Sequence, residues 1–201
     1  MFAYKHFKRA FDFTLSFFGV VILSPVFLFI AVLIKLKLGS PVFFIQKRPG
    51  IRGNIFNMVK FRTMLNSTDN SGKLLPNIDR HTKFGKLLRS TSMDELPELF
   101  NVVKGDMSLI GPRPLLIEYL PLYNKSQARR HDVKPGITGL AQVKGRNSIT
   151  WEDRFDYDIH YVNNMSVLLD LRIFLQTMKK VFLREGVNFE SETQNNRFLG
   201  S

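Results

Sequence analysis

Residues 13–34 read FTLSFFGVVILSPVFLFIAVLI, a stretch without one charged side chain, and its reading decides the fold. A helix of roughly 20 apolar residues crosses a hydrocarbon core, and this run is that long. It is too long for the apolar part of a cleavable signal peptide, and no small-x-small site follows it. Length also argues against a buried helix of a soluble protein. Ser24-Pro25 stands at its centre. Proline has no N–H for the carbonyl of Val21 and its ring crowds that carbonyl, so the helix must bend or break there. The Ser24 hydroxyl has the reach to turn back onto a freed backbone group, which makes a break tolerable in lipid.

Working outward, Lys5, Lys8 and Arg9 precede the run, and Lys35 and Lys37 follow it. Positive flanks favour the cytoplasmic side, so a spanning helix puts one of them on the wrong side. A helix–break–helix that enters and leaves by the same face satisfies both. These residues alone fit a kinked spanning helix as well as a re-entrant one.

Beyond Gly39-Ser40-Pro41 the pattern predicts a short strand over 42–45, a turn at Arg48-Pro49-Gly50, an extended segment over 55–61 and a polar loop over 66–79. Helices are expected over 82–88, over 94–103 with a stop at Gly105, and over 115–123; a turn and strand are expected within 134–146. Pro97 is accepted only in a first turn, which sets the start of its helix near Met93 or Asp94 and puts two carboxylates at that end. Over 167–184, Leu171, Phe174, Leu175, Met178, Val181 and Phe182 share one face. That pattern suits a helix lying in the membrane interface, and equally one packed on the core. Residues 188–201 read as a loose polar tail. The expected class is α/β, mostly α with few short strands: a membrane helix-break-helix (1–38), a catalytic domain (39–187) and the tail.

The chain has 201 residues and a formal net charge of +12, which points to an anionic partner. The basic residues fall in clumps, among them Lys47, Arg48 and Arg52, then Arg80, Lys83, Lys86 and Arg89, then Arg129, Arg130 and Lys134. Few aromatic residues interleave with them, which weakens a single-strand nucleic-acid reading. There is no cysteine, which excludes disulfides, thiolate metal sites and thiol nucleophiles. No P-loop and no Gly-x-Gly-x-x-Gly occurs, and the histidines show no metal-ligand spacing.

Asp94 and Glu95 are the residues most suited to chemistry. A carboxylate at a helix start is a plain cap, a holder of Mg²⁺ against a diphosphate, or a nucleophile at phosphorus. Arg113, between Pro112 and Pro114, has few conformations to lose on binding, and its guanidinium suits two-pronged contact with phosphate; a structural turn with a surface arginine is the bland alternative. Lys60, Arg62 and Arg89 are, one by one, ordinary basic residues.

Taken together the sequence resembles the bacterial sugar transferases, the small monotopic phosphoglycosyl transferases. The resemblance rests on Lys8-Arg9 with Asp12, Ser24-Pro25, Gln46-Lys47-Arg48-Pro49-Gly50 and Lys60-Phe61-Arg62-Thr63-Met64. It continues through Asp94-Glu95-Leu96-Pro97, Gly105-Asp106-Met107-Ser108, Gly111-Pro112-Arg113-Pro114, Lys134-Pro135-Gly136-Ile137-Thr138-Gly139 and Gln142-Val143-Lys144-Gly145-Arg146. So many blocks in order are specific, and they cover nearly the whole chain. The resemblance implies a re-entrant helix broken at Ser24-Pro25, with the catalytic domain on the cytoplasmic face of a bacterial inner membrane. It implies a Mg²⁺-dependent reaction in two steps. Asp94, also the metal ligand, would attack the diphosphate of a UDP-sugar, release UMP and keep the sugar phosphate; undecaprenyl phosphate would then take it. Glu95 would be the dyad partner, with Lys60, Arg62, Arg89 and Arg113 on phosphates and Arg146 near the nucleotide. Within the small form the resemblance is to the transferases for N,N'-diacetylbacillosamine phosphate that begin protein N-glycan assembly. Implied partners are the UDP-sugar, undecaprenyl phosphate, membrane lipids and downstream glycosyltransferases, with no nucleic acid. The rival readings are the same reaction with galactose, glucose or another amino sugar, and a non-catalytic membrane-anchored anion binder.

Overall fold

In the computed structural model, which describes residues 2–145, 149–183 and 197–200, the apolar run forms two helices, α1 (Phe2–Ile22) and α2 (Ser24–Leu38). The break falls at the expected Ser-Pro. The Ser24 hydroxyl donates to the Val21 carbonyl at 2.8 Å, replacing the bond that Pro25 cannot give. Helical bonding resumes with Phe27 N to Leu23 O. Among the described residues no single helix is long and apolar enough to cross a membrane; the two segments qualify only as a pair, bent by 61°. Much of their apolar surface is uncovered, with Ile22 72% and Leu36 76% exposed and Phe11, Phe18, Leu28 and Phe29 exposed beside them. A soluble chain seldom leaves so large an apolar patch open.

Both feet of the bent pair are tied to the rest of the chain. On α1, Lys8 reaches Asp170 at 2.6 Å, Asp12 accepts from the Ser108 hydroxyl at 2.6 Å, and Arg9 donates to the carbonyls of Val102 and Val103. On α2, the buried residues Ile30, Ile34 and Leu38 form one stripe that packs with Phe61 and Leu88. The membrane-type segment and the domain therefore share a core across the expected boundary at residue 38.

After α2 comes an antiparallel hairpin, β1 (Phe43–Pro49) and β2 (Ile55–Phe61), in the register Phe43↔Phe61 to Pro49↔Ile55. The second strand falls where it was expected. The first runs on through Arg48-Pro49, because the turn is made by the next five residues: Gly50 N donates to Asn54 O at 2.7 Å, with Arg52 and Gly53 at positive φ. The polar segment that follows is largely loop and closes with α3 (Asn77–Arg80). Thr82 then caps α4 (Lys83–Ser90), its hydroxyl accepting from Gly85 N.

Next comes α5 (Glu98–Lys104), stopped by Gly105 at φ 99°. It starts later than the proline argument set it. Met93–Glu95 is a separate 3₁₀ turn, closed by Leu96 N to Met93 O, because Pro97 has no N–H for an α-helical bond to that carbonyl. The strand β3 (Ser108–Ile110) pairs in parallel with β4 (Gly136–Thr138). The helix expected over 115–123 is a 3₁₀ segment, Ile117–Leu122, with Pro121 inside it. Two short helices, α6 (Lys125–Ala128) and α7 (Leu140–Lys144), flank β4 in sequence; the strand expected within 134–146 is β4, and α7 was not foreseen.

The chain closes with α8 (Trp151–Asn164) and α9 (Val167–Leu183). Sequence patterning missed α8, since its buried stripe of Phe155, Asp158, Tyr161 and Val162 contains a carboxylate. On α9 the structure separates the two faces. Ile173 is buried and Asp170 bonds Lys8, Tyr4 and Tyr161, whereas Leu171, Phe174, Leu175 and Met178 are exposed. The apolar face thus points away from the core, as an interfacial helix requires. The tail departs from expectation: Phe198 is buried with Tyr119, Tyr123, Trp151 and Phe155, because an aromatic ring buries too much area to stay in water where such a pocket exists.

Candidate active site

Four segments deliver charged side chains to one place. The first is the 3₁₀ turn with Asp94 and Glu95, entered through Ser92 at φ 55°. A left-handed serine is strained, and such strain gathers at functional sites. The second is the end of β2, which points Lys60 at the turn. The third is the Pro112-Arg113-Pro114 loop after β3. The last is α5, whose first residue, Glu98, is 2% exposed.

Glu95 is the hub. Its Oε1 accepts from Lys60 Nζ at 2.8 Å and from Arg113 at 2.6 Å. Lys60 also pairs with Glu98 at 3.0 Å, so one ammonium bridges two carboxylates. No described residue hydrogen-bonds the other Glu95 oxygen. Asp94, one residue earlier, forms no hydrogen bond or ion pair with any described side chain. In a 3₁₀ turn neighbours point about 120° apart, which is why one carboxylate is clamped and the other open.

The electrostatics follow from that geometry. Burial pushes the Asp94 carboxyl up to about 6, Glu95 adds to this, and Lys60, Arg89 and Arg113 oppose it. Asp94 is thus ionised at neutral pH yet poorly compensated. For Glu95, burial acts upward but Arg113 and Lys60 outweigh it, holding the carboxyl well below its ordinary range. Glu95 in turn raises Arg113. Burial raises Glu98 to about 7, against the opposing pull of Lys60.

The structure thus brings together Asp94, Glu95, Lys60 and Arg113, with Arg89, at the end of α4, close enough to act on Asp94. Arg62 is different. Its guanidinium donates to the carbonyls of Leu38 at 2.6 Å and Ser40 at 3.0 Å, capping the end of α2. Arg62, expected on phosphate, thus gives both terminal nitrogens to backbone carbonyls, because unpaired carbonyls at a helix end draw any buried donor in reach. Arg146 lies outside the described residues. Ser24 and Pro25 serve the bend of the membrane-type segment. Glu98 was missed; its signal was a third acid within four residues of Asp94.

No group of three or more His, Asp or Glu among the described residues could enclose a metal ion. Mg²⁺ does not need one: it commonly takes one or two carboxylates, with water and substrate phosphates completing the shell. Asp94 and the unbonded oxygen of Glu95 fit that donor set.

The sequence profile of the bacterial sugar transferases matches residues 3–184. The chain is 53% identical over 194 residues to the uncharacterized sugar transferase EpsL of Bacillus subtilis, covering 96% of each chain. It is 40% identical over 189 residues to UDP-glucose:undecaprenyl-phosphate glucose-1-phosphate transferase of Klebsiella pneumoniae, covering 89% of this chain and 41% of the relative. It is 37% identical over 196 residues to undecaprenyl-phosphate galactose phosphotransferase of Salmonella typhimurium, with the same coverage of each. On profile, relatives and the ordered run of motifs alike, the chain belongs to the bacterial sugar transferase family.

Proposed function

We propose that this protein is a membrane-embedded phosphotransferase that moves a sugar 1-phosphate from a UDP-sugar to undecaprenyl phosphate through a covalent intermediate on Asp94. The observation that carries the mechanism is the asymmetry of the acidic pair: Glu95 is held by two cations, while Asp94 has no side-chain partner among the described residues. An Asp94 oxygen attacks the phosphorus that bears the sugar. The new O–P bond replaces the bridging P–O bond, and UMP leaves with that electron pair. An oxygen of undecaprenyl phosphate then attacks the same phosphorus, forming the lipid diphosphate sugar and returning Asp94 as a carboxylate. Arg113 and Lys60 offer fixed positive charge to the oxygens that gain it, which is how phosphoryl transfer is chiefly accelerated. Arg89 adds to that field, and Arg146 is assigned to the nucleotide by resemblance. Mg²⁺, held by Asp94 and Glu95, would neutralise diphosphate charge.

The topology we propose is re-entrant, with both ends and the catalytic domain on the cytoplasmic side of a bacterial inner membrane. Its support is mechanical: both feet of the bent pair are bonded to the same domain, one through Lys8, Arg9 and Asp12 and the other through Arg62. A straight span would carry its two ends about 30 Å apart.

For the sugar, the motif resemblance carries UDP-N,N'-diacetylbacillosamine and entry into protein N-glycan assembly. The names of two relatives, which specify glucose and galactose, favour a hexose as the second reading. UMP release measured with each of the three UDP-sugars decides between them. The mechanism is tested with labelled UDP-sugar and Mg²⁺ in the absence of lipid phosphate. At most one UMP per enzyme should appear, with labelled sugar phosphate left on the protein. Asp94→Asn should abolish both signals; Glu95→Gln should weaken turnover. UMP that appears only with lipid phosphate, and no trapped adduct, would establish direct transfer instead.

A further inference from the structure

Arg130 and Asp158 lie outside the cluster around Glu95, yet reach it through the backbone. Both are almost fully buried, at 2% and 1% exposure. Arg130 Nε and one terminal nitrogen donate to the same Asp158 oxygen, at 3.0 and 2.7 Å, and that terminal nitrogen also donates to the backbone carbonyl of Arg113 at 2.7 Å. The guanidinium lies 5.8 Å from the ring centroids of both Tyr123 and Phe155. The preceding carbonyl, of Pro112, accepts from Gly136 N at 3.0 Å. The loop is therefore gripped at two successive carbonyls, one of them by a buried charge.

Stability alone is a poor reason for such a pair. Removing two charges from water is expensive, and apolar residues of like size commonly do as well. What an apolar pair could not do is hold a carbonyl. From the Arg113 carbonyl the side chain extends outward to Glu95 at 2.6 Å, with 42% of its surface open. An error in that backbone is carried to the far end of a long side chain, and misplacement by about 1 Å can cost on the order of a hundredfold in rate. We infer that Arg130, oriented by Asp158, is a positioning residue that sets where the Arg113 guanidinium meets the transferring phosphate. The inference rests on the proposed function for its kinetic arm only.

The test uses the full chain in detergent, with Arg130→Lys and Asp158→Asn each made in the wild-type and Arg113→Ala backgrounds. Lysine keeps the charge but loses the Nε donor and the rigid planar fork that fix Asp158 and the Arg113 carbonyl in one geometry. Asparagine keeps the size of Asp158 and still accepts a hydrogen bond, so it tests the idea where lysine impairs folding. Single-turnover UMP release should fall at least tenfold with Arg113 present, and less than twofold further in Arg113→Ala. The Nε–H resonance of Arg113 in ¹⁵N-arginine-labelled protein, assigned by its loss in Arg113→Ala, should shift or broaden in both variants. An equal fold-loss in the two backgrounds would overturn the inference, since general support of the fold does not need Arg113. So would variants that leave both rate and resonance unchanged. The resonance is independent of turnover, so a wild type that releases no UMP defeats the proposed function while the spectrum still judges this inference.

Discussion

The end of β2 and the loop after β3 each carry an arginine, and the two arginines are spent on different partners. Arg62 is buried and gives its donors to two carbonyls at the foot of α2. Arg113 is half open and gives its donor to Glu95, the carboxylate next to Asp94. Both guanidinia are permanently charged, so charge does not separate them. What separates them is the nearest acceptor: Arg62 meets the Leu38 and Ser40 carbonyls at the foot of α2, while Arg113 meets an acid of the candidate site. A basic residue in a phosphate-handling domain is thus either scaffold or machinery according to what lacks a partner around it.

The sharpest way to break this comparison is to change each arginine to lysine and read activity and stability together. Arg113→Lys should lower activity at least tenfold, about 1.4 kcal/mol or more of transition-state stabilisation, with the unfolding midpoint nearly unchanged. A lysine variant with wild-type turnover would reduce Arg113 to a surface charge. Arg62→Lys should do the reverse. Lysine lacks the two separate nitrogens that reach the Leu38 and Ser40 carbonyls, so stability should fall by about 1–2 kcal/mol, while activity per folded molecule stays near wild type. Thermal unfolding followed alongside UMP release distinguishes the two patterns, and identical patterns would erase the contrast.

A third test lies inside the acidic cluster. The folded Glu98 carboxyl is raised by burial from 4.5 to about 7, so the folded state holds this proton more tightly than the unfolded state does. Its contribution to stability is present below about pH 4.5 and is lost as pH rises to about 7. Asp94, raised to about 6, slopes the same way. Glu98→Gln should therefore flatten the decline between pH 4.5 and 7 by on the order of 1 kcal/mol, leaving the Asp94 portion. Chemical denaturation of metal-free protein across that range measures it; an unchanged slope would mean that Glu98 does not titrate there.

The smallest expected effect concerns the segment that Arg62 anchors. With no native cysteine, Ala3→Cys and Ser126→Cys can be labelled singly in intact cells with an impermeant reagent, and both should be protected. Pro25→Ala restores a backbone donor to the bend and should expose a minor fraction of Ala3→Cys molecules. Labelling of one site alone in the unaltered chain would defeat the re-entrant topology.

Much of this was legible in the residues. The bend at Ser24-Pro25, the strand over 55–61, the cap at Thr82, the stop at Gly105 and the pairing of chemistry with Asp94-Glu95 all rest on local physics: a missing N–H, a period of two, a capping hydroxyl, a residue that tolerates positive φ. These effects act within four or five residues, so a single chain displays them. The face on which α9 presents Leu171 and Phe174 was left open between core and interface until Ile173 and Asp170 were seen to fill the inner side. The 3₁₀ turn at Met93–Glu95 was implicit in Pro97, but the separation it imposes between a clamped Glu95 and an open Asp94 was not.

Tertiary structure alone decided which charges meet. Lys60 lies 35 residues from Glu95, Arg113 lies 18 and Arg130 lies 28 from Asp158, so nothing in their spacing pairs them. The same holds for Phe198, which composition places in a polar tail and packing places among four aromatic rings. The sequence by itself determined the apolar segment, its break, the family and the acidic pair, because each depends on residue type and near neighbours. Which arginine serves the scaffold and which the chemistry depends on which acceptors the fold leaves without donors, and that is settled only when distant segments have packed.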